Sequence, residues 1–471
     1  MRLWRLDSAA LWFDETFTAS WIELPLPQMM RVVLSDNHLP FYFLMLKAWT
    51  AIVGTSPEML RLPSAIFSLL TIPLIGAIAW VIKDKTAARW AAWLAALSPY
   101  LLQHAQEARM YTLLGLLAAA NTFLLIRFVT NKSQHLGITF VLINAGLLAT
   151  HYYSIFFIAA EFLALLILAS NRWRFWAVAM AVTLAMMAGP VLAAKYLATP
   201  HAGGSYQMGI VALPGLIWSL ISGYTLLPSS AELHAEGPRA ALTYLPLALA
   251  GFVALSVTSF AALRCLPKTH WLPLIIICGT VILGPFFASM LFDVGNNPRY
   301  AMACCPALLA FVVAGFPNTM NDRIRVGAAA VLIIIMVSAS TLHLANPGHG
   351  REDIYGIGEW LDANVPIEEE ILVTSDEMAT LAKFHWPQRH FRNYPSGKTV
   401  VKRSGADDVA AALPFGNANR VIYIFGRTWV SDPNDALRAA LTTRYNACPG
   451  IQARGIEVLC LTPVKPVMNG H

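Results

Sequence analysis

Residues 62–82 read LPSAIFSLLTIPLIGAIAWVI, an uncharged run followed at once by Lys83, Asp84 and Lys85. An α-helix of about 20 apolar residues spans a bilayer core, so this run predicts a transmembrane helix ending in a basic turn. Similar runs lie at 87–104, 111–129, 136–151, 152–170, 175–197, 241–263, 271–292, 300–316 and 326–343. Together they predict about ten crossings. Composition agrees, because the 471 residues are 57% hydrophobic and 13% charged, against roughly 25% charged in soluble domains. The solvent for most of this chain is lipid.

The net charge of +6 comes from Lys and Arg in short gaps between apolar runs. That pattern suits anionic headgroups, and no basic stripe interleaved with aromatics suggests nucleic acid. Every second gap is basic: Lys83, Lys85 and Arg89; Arg127 and Lys132; Arg172 and Arg174; Arg264 and Lys268; Arg323 and Arg325. The positive-inside rule places these in the cytoplasm. The other gaps then face outward: Gln106–Tyr111, His151–Ser154, Thr199–Arg239 and Asp293–Tyr300. The parity works if Leu39–Gly54 lies in the interface, with Tyr42 and Trp49 as anchors. Residues 1–60 then form an outward first loop with Arg2 and Arg5 exposed. Met1–Glu15 holds neither an apolar signal region nor a spanning helix, so a helix upstream is expected.

The expected domains are therefore a first loop at 1–60 with interfacial helices, a transmembrane domain at 61–345, and an outward unit at 350–465. In the last, Ile371–Thr374, Val421–Phe425 and Val458–Leu461 read as strands, and Ile354–Ala363 and Asp435–Tyr445 as helices. They suggest a small α/β domain without a GxGxxG or P-loop nucleotide motif. Of the six cysteines, Cys265, Cys278, Cys304 and Cys305 sit in or beside apolar runs. Cys448 and Cys460 fall in the polar tail, where a disulfide and two free thiols are both consistent with the sequence.

Acids in so sparsely charged a chain invite explanation. The first loop carries Leu11-Trp12-Phe13-Asp14-Glu15 and Asp36-Asn37-His38-Leu39-Pro40; the second runs from Gln103-His104 through Glu107 and Arg109 to Tyr111. Glycosyl transfer to a hydroxyl needs a carboxylate base beside the acceptor, and positive charge or a divalent metal ion beside the departing phosphate. These loops hold both kinds of group. Asp14 and Glu15 equally fit a solvated pair capping an interfacial helix, and Glu107 with Arg109 fits an exposed loop pair. His38 reads as a metal ligand or a loop hydrogen-bonder, and Arg299 and Tyr300 as phosphate contacts or interfacial anchors. His151-Tyr152-Tyr153 could line a groove or simply pack. Glu161 stands mid-membrane, where an unpaired charge costs at least about 2.5 kcal/mol, so a polar cavity or a protonated carboxyl is expected there.

The segments Leu11-Trp12-Phe13-Asp14-Glu15, Asn37-His38-Leu39-Pro40-Phe41-Tyr42, Arg61-Leu62-Pro63-Ser64-Ala65, Ser98-Pro99-Tyr100 and Gln106-Glu107-Ala108-Arg109-Met110-Tyr111 together resemble the bacterial GT-C glycosyltransferases. Specifically, they are similar to the family 39 or PMT_2-like proteins, relatives of protein O-mannosyltransferases and lipid A aminoarabinose transferases. The match in order and spacing covers roughly the first 130 residues, and Pro298-Arg299-Tyr300 and the outward C-terminal domain fit it. The resemblance implies inverting transfer from a polyprenyl-phosphate sugar to a glycan, lipid or protein hydroxyl, at the outer face of a bacterial inner membrane. It marks Asp14 as the base, Glu107 as a second acid, and Arg109, Arg299 and Tyr300 as groups against the donor phosphate; Glu15 as a further catalytic acid and His38 and Tyr111 as substrate-binding groups complete the candidate set. Two departures stand out: the usual helix ahead of the Asp-Glu loop is not in this sequence, and Leu39 replaces a proline after the loop histidine, loosening that backbone.

The expected fold is thus an all-α polytopic GT-C domain with a small extracytoplasmic α/β domain. A transporter or lipid flippase would also carry many helices and an intramembrane acid, but predicts internal repeats and mid-membrane substrate residues. No convincing repeat is visible. An inactive relative that only binds carrier lipid is the third reading.

Overall fold

The computed structural model describes residues 1–36, 38–131, 137–169, 173–197, 213–229, 232–233, 236–291, 297–346, 348, 351–395, 405–415, 419–428, 432 and 435–464. Asn37, Lys132, Arg172 and the gap segments 199–212 and 293–296, all named above, lie outside them.

Every apolar run is helical where described, since a bilayer leaves the backbone no other hydrogen-bond partner. Among the described residues, five helices are long and apolar enough to cross a membrane: Pro57–Ile82, Tyr111–Thr130, Arg239–Cys265, Lys268–Met290 and Arg323–Ala345. Of the other runs, 175–197 lies within the 25-residue helix Trp173–Leu197 and the rest form shorter or divided helices, so the expectation of about ten spans is not confirmed by length. The run 87–104 divides at Ser98, whose extended backbone and Pro99 end one helix at Leu97 and start another at Pro99–Ala105. Tyr111–Asn131, Gly137–Thr150 and Ser154–Leu168 follow, and 300–316 opens as a 3₁₀ turn, Pro298–Cys304, before Cys305–Ala314. Leu213–Ser222 is a helix that hydropathy had left inside a loop. Phe41–Val53 is a 13-residue apolar helix, with the Trp49 indole donating to the Met59 carbonyl (2.9 Å).

Three of the basic gaps meet at one end of this bundle. Lys83 donates to the carbonyls of Ala314 (2.8 Å) and Phe316 (3.2 Å), His270 meets the Ile82 carbonyl (3.0 Å), and Arg325 reaches Cys265 (3.9 Å). The first loop, Gln103–Tyr111 and Pro298–Tyr300 gather at the other: Gln106 donates to the Trp4 carbonyl (2.9 Å) and Tyr100 to that of Pro298 (2.8 Å). Arg2 departs from expectation. It is buried rather than exposed, because its guanidinium satisfies Ser68 Oγ and the carbonyls of Ala95 and Ala96 at a helix C-terminus. Arg5 is exposed.

The C-terminal sheet has strands β1 (Ile371–Val373), β2 (Phe391–Asn393), β3 (Val421–Gly426), β4 (Asn446–Ala453) and β5 (Ile456–Thr462), in the order β2-β1-β3-β5-β4. The first three are parallel; β5 runs against β3 and β4 against β5. Alternation divides the side chains between two cores. Ile371, Val373, Ile422 and Ile424 face helices Ile354–Asn364 and Asp376–His385, while Leu372, Tyr423 and Phe425 face Ala406–Ala411 and Ala436–Arg444. Cys448 and Cys460 are disulfide-bonded across β4 and β5. Phe13, from the first loop, lies fully buried in the first of these cores beside Ile354 and Met378, and His385 Nε2 contacts the Leu11 carbonyl (2.8 Å). The sheet domain is thereby docked on the end of the bundle that carries the acidic loops.

This arrangement predicts the outcome of cysteine labelling in sealed vesicles. In a Cys265→Ser background, single cysteines at the exposed positions Met320 and Tyr355 should react with an impermeant reagent from opposite faces; reaction from the same face would contradict the separation of the two ends.

Candidate active site

The site begins at Arg61, in the first turns of the Pro57–Ile82 helix. Its guanidinium is 1% exposed and uses all its donors: Nε and Nη2 reach the two Glu15 oxygens (2.8 and 2.6 Å), Nη1 the carbonyls of Leu6 and Ala9, and Nη2 that of Ala10. Glu15, 0% exposed, also accepts from the backbone N–H of Ala108 (2.7 Å) and of Trp12 (3.4 Å). One ion pair thus ties the first loop, a spanning helix and the second loop together. Ser64, one turn along, donates to the Arg109 carbonyl (3.1 Å).

Held by this knot, Asp14 projects from the start of helix Phe13–Glu23 into a cluster of cations. It pairs closely with Arg299 and stands 3.7 Å from Arg427. Arg109 donates to the Asp14 carbonyl and to Thr18 Oγ1 (both 3.1 Å), and its other end meets His38 Nε2 (3.2 Å). Burial opposes a charge on Asp14, but Arg299, Arg109 and Arg427 outweigh it and hold the carboxyl well below the usual carboxylate range. Burial and Arg109 hold His38 well below an ordinary imidazole, so it is neutral at pH 7 and can accept from Arg109. Burial, reinforced by Arg299 and Arg109, lowers His151 to about 3.

Arg299 follows Asn297 and Pro298, whose capping geometry starts the 3₁₀ turn: the Asn297 side chain accepts from the Arg299 backbone N–H (3.2 Å). Aromatic rings enclose its guanidinium, with Tyr111 at 5.4 Å, Trp12 at 5.8 Å and Tyr300 at 6.0 Å. Tyr300 in turn lies against Tyr153 (4.4 Å) and His151 (5.0 Å).

Glu107 sits at the edge of this chamber. It is buried, not an exposed partner of Arg109: its oxygens meet His104 Nδ1 (2.8 Å) and Arg351 (3.0 Å), the latter from the C-terminal domain. Burial would raise its pKa, but His104, Arg351 and Arg299 bring it down to about 2. Glu161 is apart, two turns down the Ser154–Leu168 helix, and accepts from Asn121 (3.3 Å).

Residues 37–194 match the family model PMT_2, dolichyl-phosphate-mannose-protein mannosyltransferase. Among solved structures, ArnT from Cupriavidus metallidurans in the apo state superposes with a TM-score of 0.53 at 11% identity, covering 94% of this chain and 93% of that chain. ArnT bound to undecaprenyl phosphate gives 0.56 at 12%, covering 97% and 95%. The archaeal oligosaccharyltransferase AglB from Archaeoglobus fulgidus, in complex with an inhibitory peptide and a dolichol-phosphate, scores 0.48 at 13% over 96% of this chain and 70% of that one. No curated protein matches by sequence. Residues 37–194 are PMT_2-like, and the chain shares the GT-C fold of the ArnT structures.

The structure brings Asp14, His38, Arg109, Tyr111, Arg299 and Tyr300 into one cluster and puts Glu15 and Glu107 in its supporting frame. Sequence reading missed the frame's other halves: Arg61 as the clamp, Arg351, and Arg427. The last has a detectable signal, since it directly follows β3, and ligands of open parallel sheets gather beyond the carboxyl ends of the strands. The chamber does not suit a divalent cation. Three guanidinium groups surround Asp14, and among the described residues no group of three or more His, Cys, Asp or Glu side chains is arranged to hold a metal ion.

Breaking a buried ion pair from one side costs about 3–5 kcal/mol. Glu15→Ala should therefore lower the thermal midpoint and folded yield in detergent sharply, whereas Asp14→Asn, which keeps a hydrogen-bonding group in a less buried pair, should lower them less; a stable but inactive Glu15→Ala would instead give Glu15 a chemical role. Glu107 has its own pH signature. Its folded-state pKa is depressed, so its contribution is complete above about pH 4.5 and fades as pH falls toward 2. Over that window the stability of Glu107→Gln should fall less steeply than that of the parent protein, and parallel curves would show that Glu107 is not charged by its partners.

Proposed function

We propose that this protein transfers a sugar from a polyprenyl-phosphate carrier to a hydroxyl acceptor at the outer face of a bacterial inner membrane. The observation that carries the reading is the placement of Asp14 directly against Arg299: a carboxylate that can take a proton, touching a cation that can take a phosphate. The GT-C fold and the PMT_2 match support it, as does an ArnT structure that holds undecaprenyl phosphate. The chamber also presents buried polar atoms that meet no partner among the described residues: Nε of Arg109 and Arg299, Nε2 of His104 and the Tyr224 hydroxyl. Groups left unmet at that cost are ordinarily completed by a ligand. In this reading the units 1–60, 61–345 and 350–465 supply the base, the lipid-facing scaffold and the outer wall.

The chemistry is an inverting displacement. Asp14 takes the proton of the acceptor hydroxyl as its oxygen bonds to the anomeric carbon; the bond from that carbon to the phosphate oxygen breaks, and polyprenyl phosphate leaves with the electron pair. Arg299, with Arg109 beside it, neutralises the leaving phosphate, while Tyr111, Tyr300 and Trp12 wall the site from water. His38 holds Arg109 in place. A carboxyl kept this acidic is a weak base, and the same geometry resolves the difficulty. A donor phosphate competes with Asp14 for Arg299, so donor binding withdraws the strongest attraction on the carboxylate and raises its basicity when the acceptor needs it. Glu15 and Glu107 act as positioning residues, fixing Asp14 and the second loop.

Asp14→Asn keeps shape and hydrogen bonding but removes the basic oxygen, so initial transfer rates in membranes supplied with radiolabelled polyprenyl-phosphate sugars should fall by roughly 100-fold or more. Carrier binding should persist. Near-normal turnover would remove Asp14 from the role of base, and failure of every labelled donor with the parent protein would remove the reaction.

A further inference from the structure

Segment 351–353 joins the last spanning helix to the sheet domain, and a hairpin turn holds it over the site. Arg454 Nε donates to the Arg351 carbonyl (2.7 Å) and the Asp353 N–H to that of Arg454 (2.9 Å). Gly455 has φ of +73°, a conformation that disfavours other residues, and a Cβ there would stand 3.3 Å from Glu352 Cγ. The turn thus sets Glu352 as well as Arg351.

Glu352 has a side chain 7% exposed. One oxygen accepts from Arg427 Nε (3.4 Å), while Oε2 is buried with no donor among the described residues. Across Arg427 lies Trp12, whose ring is 5.9 Å from that guanidinium and whose indole N–H is likewise buried without an acceptor. Arg427 also covers the Phe13 ring at 4.0 Å and reaches Asp14 at 3.7 Å. A desolvated acceptor and a desolvated donor therefore flank one cation beside the candidate base. Leaving either unmet is costly, the more so for a charged group.

The charges select the ligand. A phosphate would meet the carboxylates of Glu352 and Asp14, and a cation would meet Arg299, Arg351 and Arg427. A neutral polyhydroxyl group suits both signs: adjacent hydroxyls donate to Glu352, a ring or hydroxyl oxygen accepts from Trp12, and the C–H face rests on an aromatic ring. We propose that Glu352 and the Trp12 indole N–H, bridged by Arg427, form a hydroxyl-recognising subsite for a sugar, carried either by the donor or by a glycan acceptor. This deepens the transfer reading above and rests on it for the donor case.

The test uses the full chain in nanodiscs and three probes: undecaprenyl phosphate alone, undecaprenyl phosphate bearing mannose, glucose or aminoarabinose, and the methyl glycosides of those sugars. Glu352→Gln and Glu352→Ala should leave affinity for undecaprenyl phosphate unchanged. They should weaken one sugar-bearing probe by about 10-fold or more, the lipid-linked sugar if the subsite serves the donor and the methyl glycoside if it serves an acceptor. Equal affinities of parent and variants for all probes, no sugar binding by the parent, or parallel loss of undecaprenyl phosphate would overturn the proposal. A parent protein that binds methyl glycosides through Glu352 but not undecaprenyl phosphate would keep the subsite and defeat the transfer reading, so the two failures are distinct.

Discussion

The buried pair of Arg61 and Glu15 is the constraint on which the loop-bearing end of this molecule depends. Neither charge reaches solvent, and the desolvation of both is offset only because every guanidinium donor and both carboxylate oxygens are engaged. A spanning helix cannot by itself position an irregular loop. The pair converts the rigidity of Pro57–Ile82 into fixed backbone at 6–15 and at 108, and Asp14, Trp12 and Arg109 inherit their positions from it. Reactive groups are held more exactly on such a scaffold than on a free loop.

Division of labour between adjacent acids follows. Asp14 and Glu15 are neighbours in sequence and equal in chemistry, yet one is consumed by the frame while the other faces a chamber of rings and guanidinium groups. The helix beginning at Phe13 sends successive side chains about 100° apart. That rotation separates anchor from candidate base. Glu107 repeats the pattern in the second loop, where His104 and Arg351 fix it and leave Arg109 to contact Asp14 and His38.

The helical membrane domain was legible because hydropathy measures the solvent of each segment directly, and three of the basic gaps do meet at one end. Span count was less so: a hydropathy window sees the run 87–104 as continuous, while the backbone break at Ser98 and Pro99 is a matter of dihedral angles. Strands at 371, 421 and 458 were readable from β-branched runs, but β4, with Pro449 and Gly450 and its exposed side chains, carries no such pattern. The acids and Arg299 could be nominated from composition and loop position. Their partners could not, because Arg61, Arg351 and Arg427 are separated from them by tens to hundreds of residues and look like ordinary interfacial cations. Arg2 shows the same limit: its burial depends on two carbonyls at the end of a helix far along the chain.

Phe13 lies in a core whose other members run from Ile354 to Cys460. The first residues of the chain thus complete their packing only against strands made near its end. Long-range closure of this kind is slow, since the loop entropy must be met before the contact rewards it. During synthesis the membrane helices can assemble while Asp14 still lacks its outer wall. The enclosure of Asp14 is therefore a late event on contact order, complete once the sheet has folded, so a chain truncated before the sheet would present the acidic loops without the wall that makes them a site.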